Sequence, residues 1–259
     1  MRIISRLLIA IVLCALPLVA GKDKPLSDSE LAEITARGRF LAEYDNASWH
    51  ATDAVLALKP VSGSVQKYIA KKTDAGWVVD FGRFNEAGDA FLIVYEATQG
   101  ASPQQFTVKT YDPPLKDAGY FYLAAKAIAL SLQDFRRENR PYNTYVLPLD
   151  SGQMYIYIVP AQTVNGVFPL GGDERYLVSA DGSKIIEARR LHAAIIEFTN
   201  SAPGARQPVS GFHTHVLTDV PEDTDVLYVL LRKPPLPEFI ATKSHMYEVE
   251  TDGSIKCVK

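Results

Sequence analysis

Two histidines separated by one residue mark the stretch of this chain whose residue types best suit chemistry. His213 and His215 lie in the sequence PVSGFHTHV, residues 208–216, which we predict to be a strand. Because side chains alternate between the two faces of a strand, both imidazoles would point the same way. Two neutral imidazole nitrogens on one face suit a divalent metal such as zinc. The alternative is that both side chains are simply polar groups on a solvent-facing strand.

An acidic loop follows this strand and offers a third ligand. Pro221 breaks the chain, and the sequence EDTD, residues 222–225, opens the apolar run 226–231. Asp225 suits the first turn of a helix, where free amides and the helix dipole favour acidic groups, and from there it could also reach a metal. Three protein ligands would leave the fourth position of a zinc ion for water, as a hydrolytic site requires.

The segment from His213 to Asp225 resembles the motif of the JAB/MPN (JAMM) metallopeptidases. That motif is His-Ser/Thr-His, seven residues, Ser, two residues and Asp, often with Pro before the Ser. The resemblance extends over roughly residues 115–259 and implies that His213, His215 and Asp225 bind one zinc ion. It also implies a hydrolase of peptide or isopeptide bonds, with a zinc-bound water as the nucleophile.

The chain departs from this family pattern at functionally important positions. Its loop is one residue shorter, and Glu222 stands where the family has the Ser that positions the reacting oxygen. The family's general-base glutamate would fall near residues 141–145, PYNTY, which contain no carboxylate, although Glu138 lies shortly before them. We take Glu222 as the candidate catalytic residue, because losing a base costs about 10²–10⁴ in rate. The alternatives are a catalytically degenerate JAB-like binding or scaffolding protein, and a structural protein whose histidines bind nothing.

The first 21 residues are typical of a secretory signal. Arg2 and Arg6 precede an apolar stretch, residues 7–20, that is short for a membrane span. We therefore expect a periplasmic or secreted protein without stable membrane insertion after removal of the signal; an uncleaved anchor is the alternative.

Composition narrows the classes of partner. A net charge of −3 and a charged fraction of 22% give no basic surface for nucleic acid. Of the two cysteines, Cys14 lies in the signal and Cys257 would remain alone, so no disulfide scaffold is expected. The resemblance to JAB/MPN proteins, and not composition, implies that the partner or substrate is a peptide or protein.

The hydrophobic pattern predicts an α+β fold in two parts. Residues 22–112 would form a subdomain with an N-terminal helix over 28–58, unbroken or in two pieces, and an antiparallel β-meander. The meander strands are predicted at 67–72, 77–84, 90–96 and 106–111. The sequence DPP, residues 112–114, would mark the boundary to a second part over 113–259, for which the JAB/MPN resemblance implies a mixed sheet flanked by helices.

Within the second part we predict a helix over residues 120–137 and a central strand over 154–159. The apolar run 226–231 would permit a strand, but its acidic start and the resemblance favour a helix. His192 is expected to be buried with one hydrogen bond, with a supporting role near the metal as the alternative. The loop 171–175, GGDER, would be an exposed turn or would bring charge to the site.

Overall fold

The computed structural model describes residues 24–136, 138–199 and 208–259. The predicted signal, residues 1–21, lies outside them, as do residues 200–207, which precede the predicted histidine strand. None of the helices in these ranges is long and apolar enough to span a membrane. The export of the protein therefore stays a prediction.

The N-terminal segment forms one continuous helix, α1 (Asp28–Leu56). Ser27 and Glu30 form a capping box at its start, because each side chain accepts a hydrogen bond from the backbone of the other. Gly38 lies inside this helix, although glycine disfavours helices, and its lack of a side chain serves packing. A Cβ atom there would lie 2.4 Å from the Cβ of Val226, so the glycine lets α1 approach a later helix closely.

The predicted β-meander is present as an antiparallel sheet in the order β1-β2-β3-β4. Its strands are β1 (Lys67–Thr73), β2 (Gly76–Phe84), β3 (Phe91–Gln99) and β4 (Phe106–Asp117).

Strand β4 runs through the DPP sequence that we took as a domain boundary. The pairing with β3 shifts there, from Tyr95 opposite Thr110 to Ile93 opposite Leu115. The prolines therefore sit in an irregularity of the ladder, where their missing N–H groups cost little. One core cluster contains residues from both sides of residue 112, so the predicted parts pack against each other.

A second antiparallel sheet has the order β5-β6-β8-β9, and β6 is internal, as predicted. Helix α2 (Tyr120–Asp134) precedes it and ends three residues before the predicted position, because Phe135 is already extended. The strands are β5 (Tyr142–Pro148), β6 (Met154–Pro160), β8 (Glu174–Val178) and β9 (Ile185–Arg190). A separate two-stranded sheet joins β7 (Val167–Gly171) to β10 (Ile195–Thr199).

The third sheet is mixed and has the order β11-β12-β13-β14. Strands β11 (Gly211–Thr214) and β12 (Glu238–Ala241) are parallel, and β13 (Met246–Val249) and β14 (Ile255–Cys257) continue antiparallel. Parallel neighbours need a crossover, which is provided by helix α3 (Asp223–Leu231). The helical alternative for residues 226–231 is therefore correct. The α+β class and the mixed sheet are both as predicted.

Candidate metal centre

Strand β11 and its extension turn both predicted histidines into the protein. His213 is buried, whereas its neighbours Phe212 and Thr214 are exposed, as strand alternation requires. His215 lies just past the strand, but its backbone N–H still donates to the carbonyl of Ala241, 2.9 Å away, so the alternation continues. His215 is also buried. The alternative of two solvent-facing polar side chains is wrong.

The start of α3 brings Asp225 to the same place. Its Oδ2 atom accepts the backbone N–H of Glu222 at 2.7 Å, which is the first-turn role expected from sequence. Its Oδ1 atom lies 3.2 Å from Nε2 of His213, and Oδ2 lies 3.3 Å from Nε2 of His215. One carboxylate therefore both stabilises the helix start and faces the histidines.

A third histidine completes the cluster. His192, in the loop between β9 and β10, places its Nε2 atom 3.0 Å from Nε2 of His215 and 3.0 Å from Oδ1 of Asp225. Its burial is as predicted, but its position is in the cluster itself. No short-range spacing in the sequence predicted this position, because β10 and residues 200–207 separate His192 from the histidine strand. Together these residues form a buried group that could bind a metal ion: His192, His213, His215 and Asp225. We call this group the metal centre.

The separations within the metal centre match a small tetrahedral ion. The three histidine Nε2 atoms lie 3.0, 3.2 and 3.3 Å from the Asp225 carboxylate oxygens. Nε2 of His215 lies 3.0 and 3.1 Å from those of the other two histidines. Ligands about 2.0–2.2 Å from a tetrahedral ion are roughly 3.3–3.6 Å apart. A small expansion of the cluster is thus all that separates the two geometries.

The remaining ring nitrogens are all occupied by acceptors. Nδ1 of His192 lies 2.7 Å from Oδ1 of Asp173, and Nδ1 of His213 lies 3.0 Å from Oε1 of Glu238. Nδ1 of His215 lies 2.7 Å from the carbonyl oxygen of Val220. Each Nδ1 is therefore placed to donate its proton to that acceptor, and each Nε2 faces the centre, where its lone pair could bind a metal ion.

The charges around the site also favour a bound cation. Burial alone would lower the pKa of His213, but hydrogen bonds with Asp225 and Glu238 outweigh it and raise that pKa to about 9. The pKa of His192 is likewise held well above its usual value by Asp173 and Asp225, against the effect of burial. The surrounding histidines lower the pKa of Asp225 despite its burial. The carboxylates of the centre thus stabilise positive charge on the histidines, as they would stabilise a bound cation.

The supporting carboxylates are held in place by their own surroundings. Oε2 of Glu238 lies 3.3 Å from an Arg232 guanidinium nitrogen, and Glu238 is fully buried. Gly211 leaves the space for it, since a Cβ atom there would lie only 1.6 Å from Glu238 Oε2. Asp173 is buried too, so the loop 171–175 brings charge to the site and is not an exposed turn.

Glu222 borders the centre without being one of its four ligand residues. Its side chain is buried and forms an ion pair with Arg189 of β9. Burial raises its pKa to about 7, against the opposing effect of Arg189 and with a further contribution from Asp225. Glu138, the other candidate base, is exposed; its backbone N–H donates to the Tyr142 hydroxyl at 3.1 Å.

The neighbouring acid, Asp223, has a structural role. Its Oδ2 atom accepts from the Tyr157 hydroxyl at 2.7 Å and from Arg175 at 3.0 Å. Its Oδ1 atom accepts from Arg37 of α1 at 2.8 Å. This buried group, which we call the Asp223 network, holds α1, the second sheet and α3 together, and so fixes the helix start that carries Asp225.

No protein-family model, no curated protein and no solved structure matches this chain. The relationship to the JAB/MPN family therefore stays a prediction based on residues 213–225. The class of site is defined by the geometry itself: a buried centre of three imidazoles and one carboxylate that could bind a metal ion.

Proposed function

We propose that this chain binds one zinc ion at the metal centre and is a JAB-like hydrolase of peptide or isopeptide bonds. The observation that supports a bound metal is that three Nε2 atoms and the Asp225 carboxylate converge while the Nδ1 of each of these three histidines is hydrogen-bonded elsewhere. Histidines that bind metals in proteins nearly always have their second nitrogen held in this way.

The donor set favours zinc among the common ions. Imidazole nitrogen suits zinc, copper, iron and nickel, whereas calcium and magnesium prefer oxygen ligands. Zinc has no geometric preference from its d electrons and accepts the near-tetrahedral arrangement that the protein imposes. The aspartate supplies the one oxygen ligand.

The residues around the centre have distinct tasks in hydrolysis. His213, His215 and Asp225 would hold the ion, which supplies a Lewis acid that acidifies water and polarises a carbonyl. Glu222 would transfer the proton, and its pKa of about 7 suits a group that must both accept and donate near neutral pH. Arg189 orients this carboxylate.

A binding or scaffolding protein without turnover is the second candidate, and two observations favour it. His192 contributes a fourth ligand atom, which fills a tetrahedral zinc ion completely. The Glu222 carboxylate is also already engaged by Arg189. In this case the centre would stabilise a surface that recognises a peptide or protein partner outside the cytoplasm.

Elemental analysis of the purified full chain tests whether the protein binds zinc. We expect about one zinc per chain, and loss of this zinc in the His213→Ala/His215→Ala double variant. Wild-type protein that stays free of metal after incubation with zinc at neutral pH would exclude both the zinc site and the hydrolase.

A peptidase and isopeptidase assay of zinc-loaded protein separates the two candidates. Hydrolysis that falls about 10²–10⁴-fold in Glu222→Gln, with the zinc content unchanged, supports the hydrolase. Full zinc loading without turnover on peptide and isopeptide substrates would leave the binding protein as the function.

A further inference from the structure

The four ligand residues of the metal centre are not held alike. Three of them come from one stretch of 13 residues, His213 to Asp225, which is fixed by pairing with β12 and by the start of α3. His192 comes from a separate loop, residues 191–194, between β9 and β10. These two strands belong to different sheets. A movement between them would shift His192 without disturbing the other three ligands.

The loop that carries His192 borders open space on one side. Ala193 and Ala194 are exposed, although His192 itself is buried. Both alanines, together with Gly172, line a cavity of about 480 Å³. The loop therefore borders open space next to the residue that it directs into the metal centre.

A specific contact nevertheless holds His192 in the closed position. Nδ1 of His192 lies 2.7 Å from the buried carboxylate of Asp173. Asp173 follows a pair of glycines, Gly171 and Gly172, with φ values of +83° and +66°. A Cβ atom on Gly171 would lie 2.3 Å from the carbonyl oxygen of Ala194. The turn at residues 171–173 therefore lies against the loop 191–194.

We propose that His192 is a displaceable fourth ligand: it closes the metal centre, and its withdrawal opens one coordination position to an outside ligand such as a peptide carbonyl. A zinc site with four protein ligands is closed, whereas a site with three has a position for a reactant. The same protein would thus exist in a latent and an open form. This inference rests on the proposed metal, and it explains how a centre with four ligands could still serve a hydrolase.

Cobalt-substituted full-length protein and azide, a small anion that binds open metal positions, provide the test. We expect wild-type protein to bind about one Co²⁺ and its visible spectrum to be insensitive to azide. His192→Ala should lose less than about 10-fold in metal affinity and respond to azide, whereas His213→Ala, the matched control, should lose more than about 100-fold. Added imidazole should fill the vacated position in His192→Ala and reverse the response to azide.

Asp173→Asn provides a second variant that retains the His192 ring. Because it removes the charge that holds this ring, we expect an azide response between those of wild type and His192→Ala. His192→Ala that loses metal as severely as His213→Ala would overturn the proposal, as would azide binding to wild type as tight as to the variant. So would metal-loaded His192→Ala that ignores azide.

The outcomes also separate this inference from the proposed function. Wild-type protein that binds no metal would end both. An azide response in His192→Ala without peptide or isopeptide hydrolysis would support the displaceable ligand and count against the hydrolase. Hydrolysis that appears or rises in His192→Ala would support both.

Discussion

Each histidine of the metal centre uses one ring nitrogen to contact the protein and presents the other to the ion site. Two of the three protein acceptors are carboxylates, Asp173 and Glu238, and these fix both the tautomer and the orientation of their histidines. They also make the ring nitrogen that faces the ion more basic. We therefore expect the strength of metal binding to depend on residues that would not touch the metal.

Glu238→Gln tests this dependence. The amide can still accept the proton of His213 Nδ1 but lacks the charge that polarises the ring and pairs with Arg232. We expect zinc affinity to fall about 10–100-fold, measured by competition with a chelator. Glu187→Gln, at an exposed position of β9, is the matched control and should leave the affinity unchanged. Equal affinities in wild type and Glu238→Gln would contradict the role assigned to Glu238.

At the scale of the elements, the position of the metal centre depends on α3. The helix start carries Asp225, and the neighbouring Asp223 ties that start to α1 and to the second sheet. A buried charge network of this kind is costly to form but far more costly to break, because removing one member leaves the others unpaired.

Asp223→Ala should therefore destabilise the fold strongly. It would leave Arg175 buried and Arg37 partly buried without their carboxylate, which costs about 3–5 kcal/mol in the free energy of unfolding. Denaturant titration measures this change. Lys116→Gln removes the exposed ion pair with Asp89 and should cost less than about 1 kcal/mol. Similar losses in the two variants would show that the Asp223 network is not a main support of α3.

The meander contains a buried acid of its own, Asp80, and it makes stability depend on pH. Neither carboxylate oxygen of Asp80 in β2 has a hydrogen-bond partner, and burial, with contributions from Glu96 and Asp117, raises its pKa to about 8. Unfolding returns the group to a pKa of about 4. Between about pH 4 and 8 the folded state thus holds a proton that the unfolded state releases, so stability falls as pH rises through this window and levels off above it.

Asp80→Asn removes this linkage. Compared with wild type, we expect the variant to gain at least about 1 kcal/mol at pH 8 and to differ little at pH 4, because a pKa shift of one unit corresponds to about 1.4 kcal/mol. Thermal or denaturant unfolding at the two pH values measures both. Asp74→Asn, in the exposed turn between β1 and β2, should show no such difference. A constant offset at both pH values would show that the proton on Asp80 is not the cause.

For the whole molecule, the metal centre joins parts that no single sheet connects. The loop after β9, the end of β11 and the start of α3 each contribute at least one ligand. The Asp223 network connects α1 to α3 as well, through the ion pair between Arg37 and Asp223. An ion that binds only the folded chain would stabilise all of these junctions together.

Removal of the metal should therefore lower stability by an amount that depends on free zinc. At a zinc concentration 100 times the Kd the gain is about 2.7 kcal/mol, so the melting temperature should rise on zinc addition and fall with a chelator. His213→Ala should abolish the zinc dependence but retain cooperative unfolding, because the Asp223 network is intact. A zinc effect of equal size in this variant would place the binding elsewhere.

The sequence by itself determined the parts of this protein that depend on near neighbours. The helix and strand order, the shared face of His213 and His215, and the position of Asp225 in a first turn all follow from periodicity and capping over a few residues. The α+β class followed from the same local patterns. By contrast, the DPP sequence suggested a boundary where the chain continues as β4, because pairing with β3 outweighs the local preference of proline.

The tertiary structure decided which distant residues meet the histidine pair. His192, Asp173 and Glu238 lie in separate loops and strands, and only the packing of three sheets and α3 brings them within 2.7–3.0 Å of their partners. Their sequence neighbours carry no motif, since a histidine or carboxylate can become a ligand or its support from any segment that folds nearby. Long-range packing, which local patterns do not encode, placed two further residues beside the histidine pair and so formed a group of four candidate ligands.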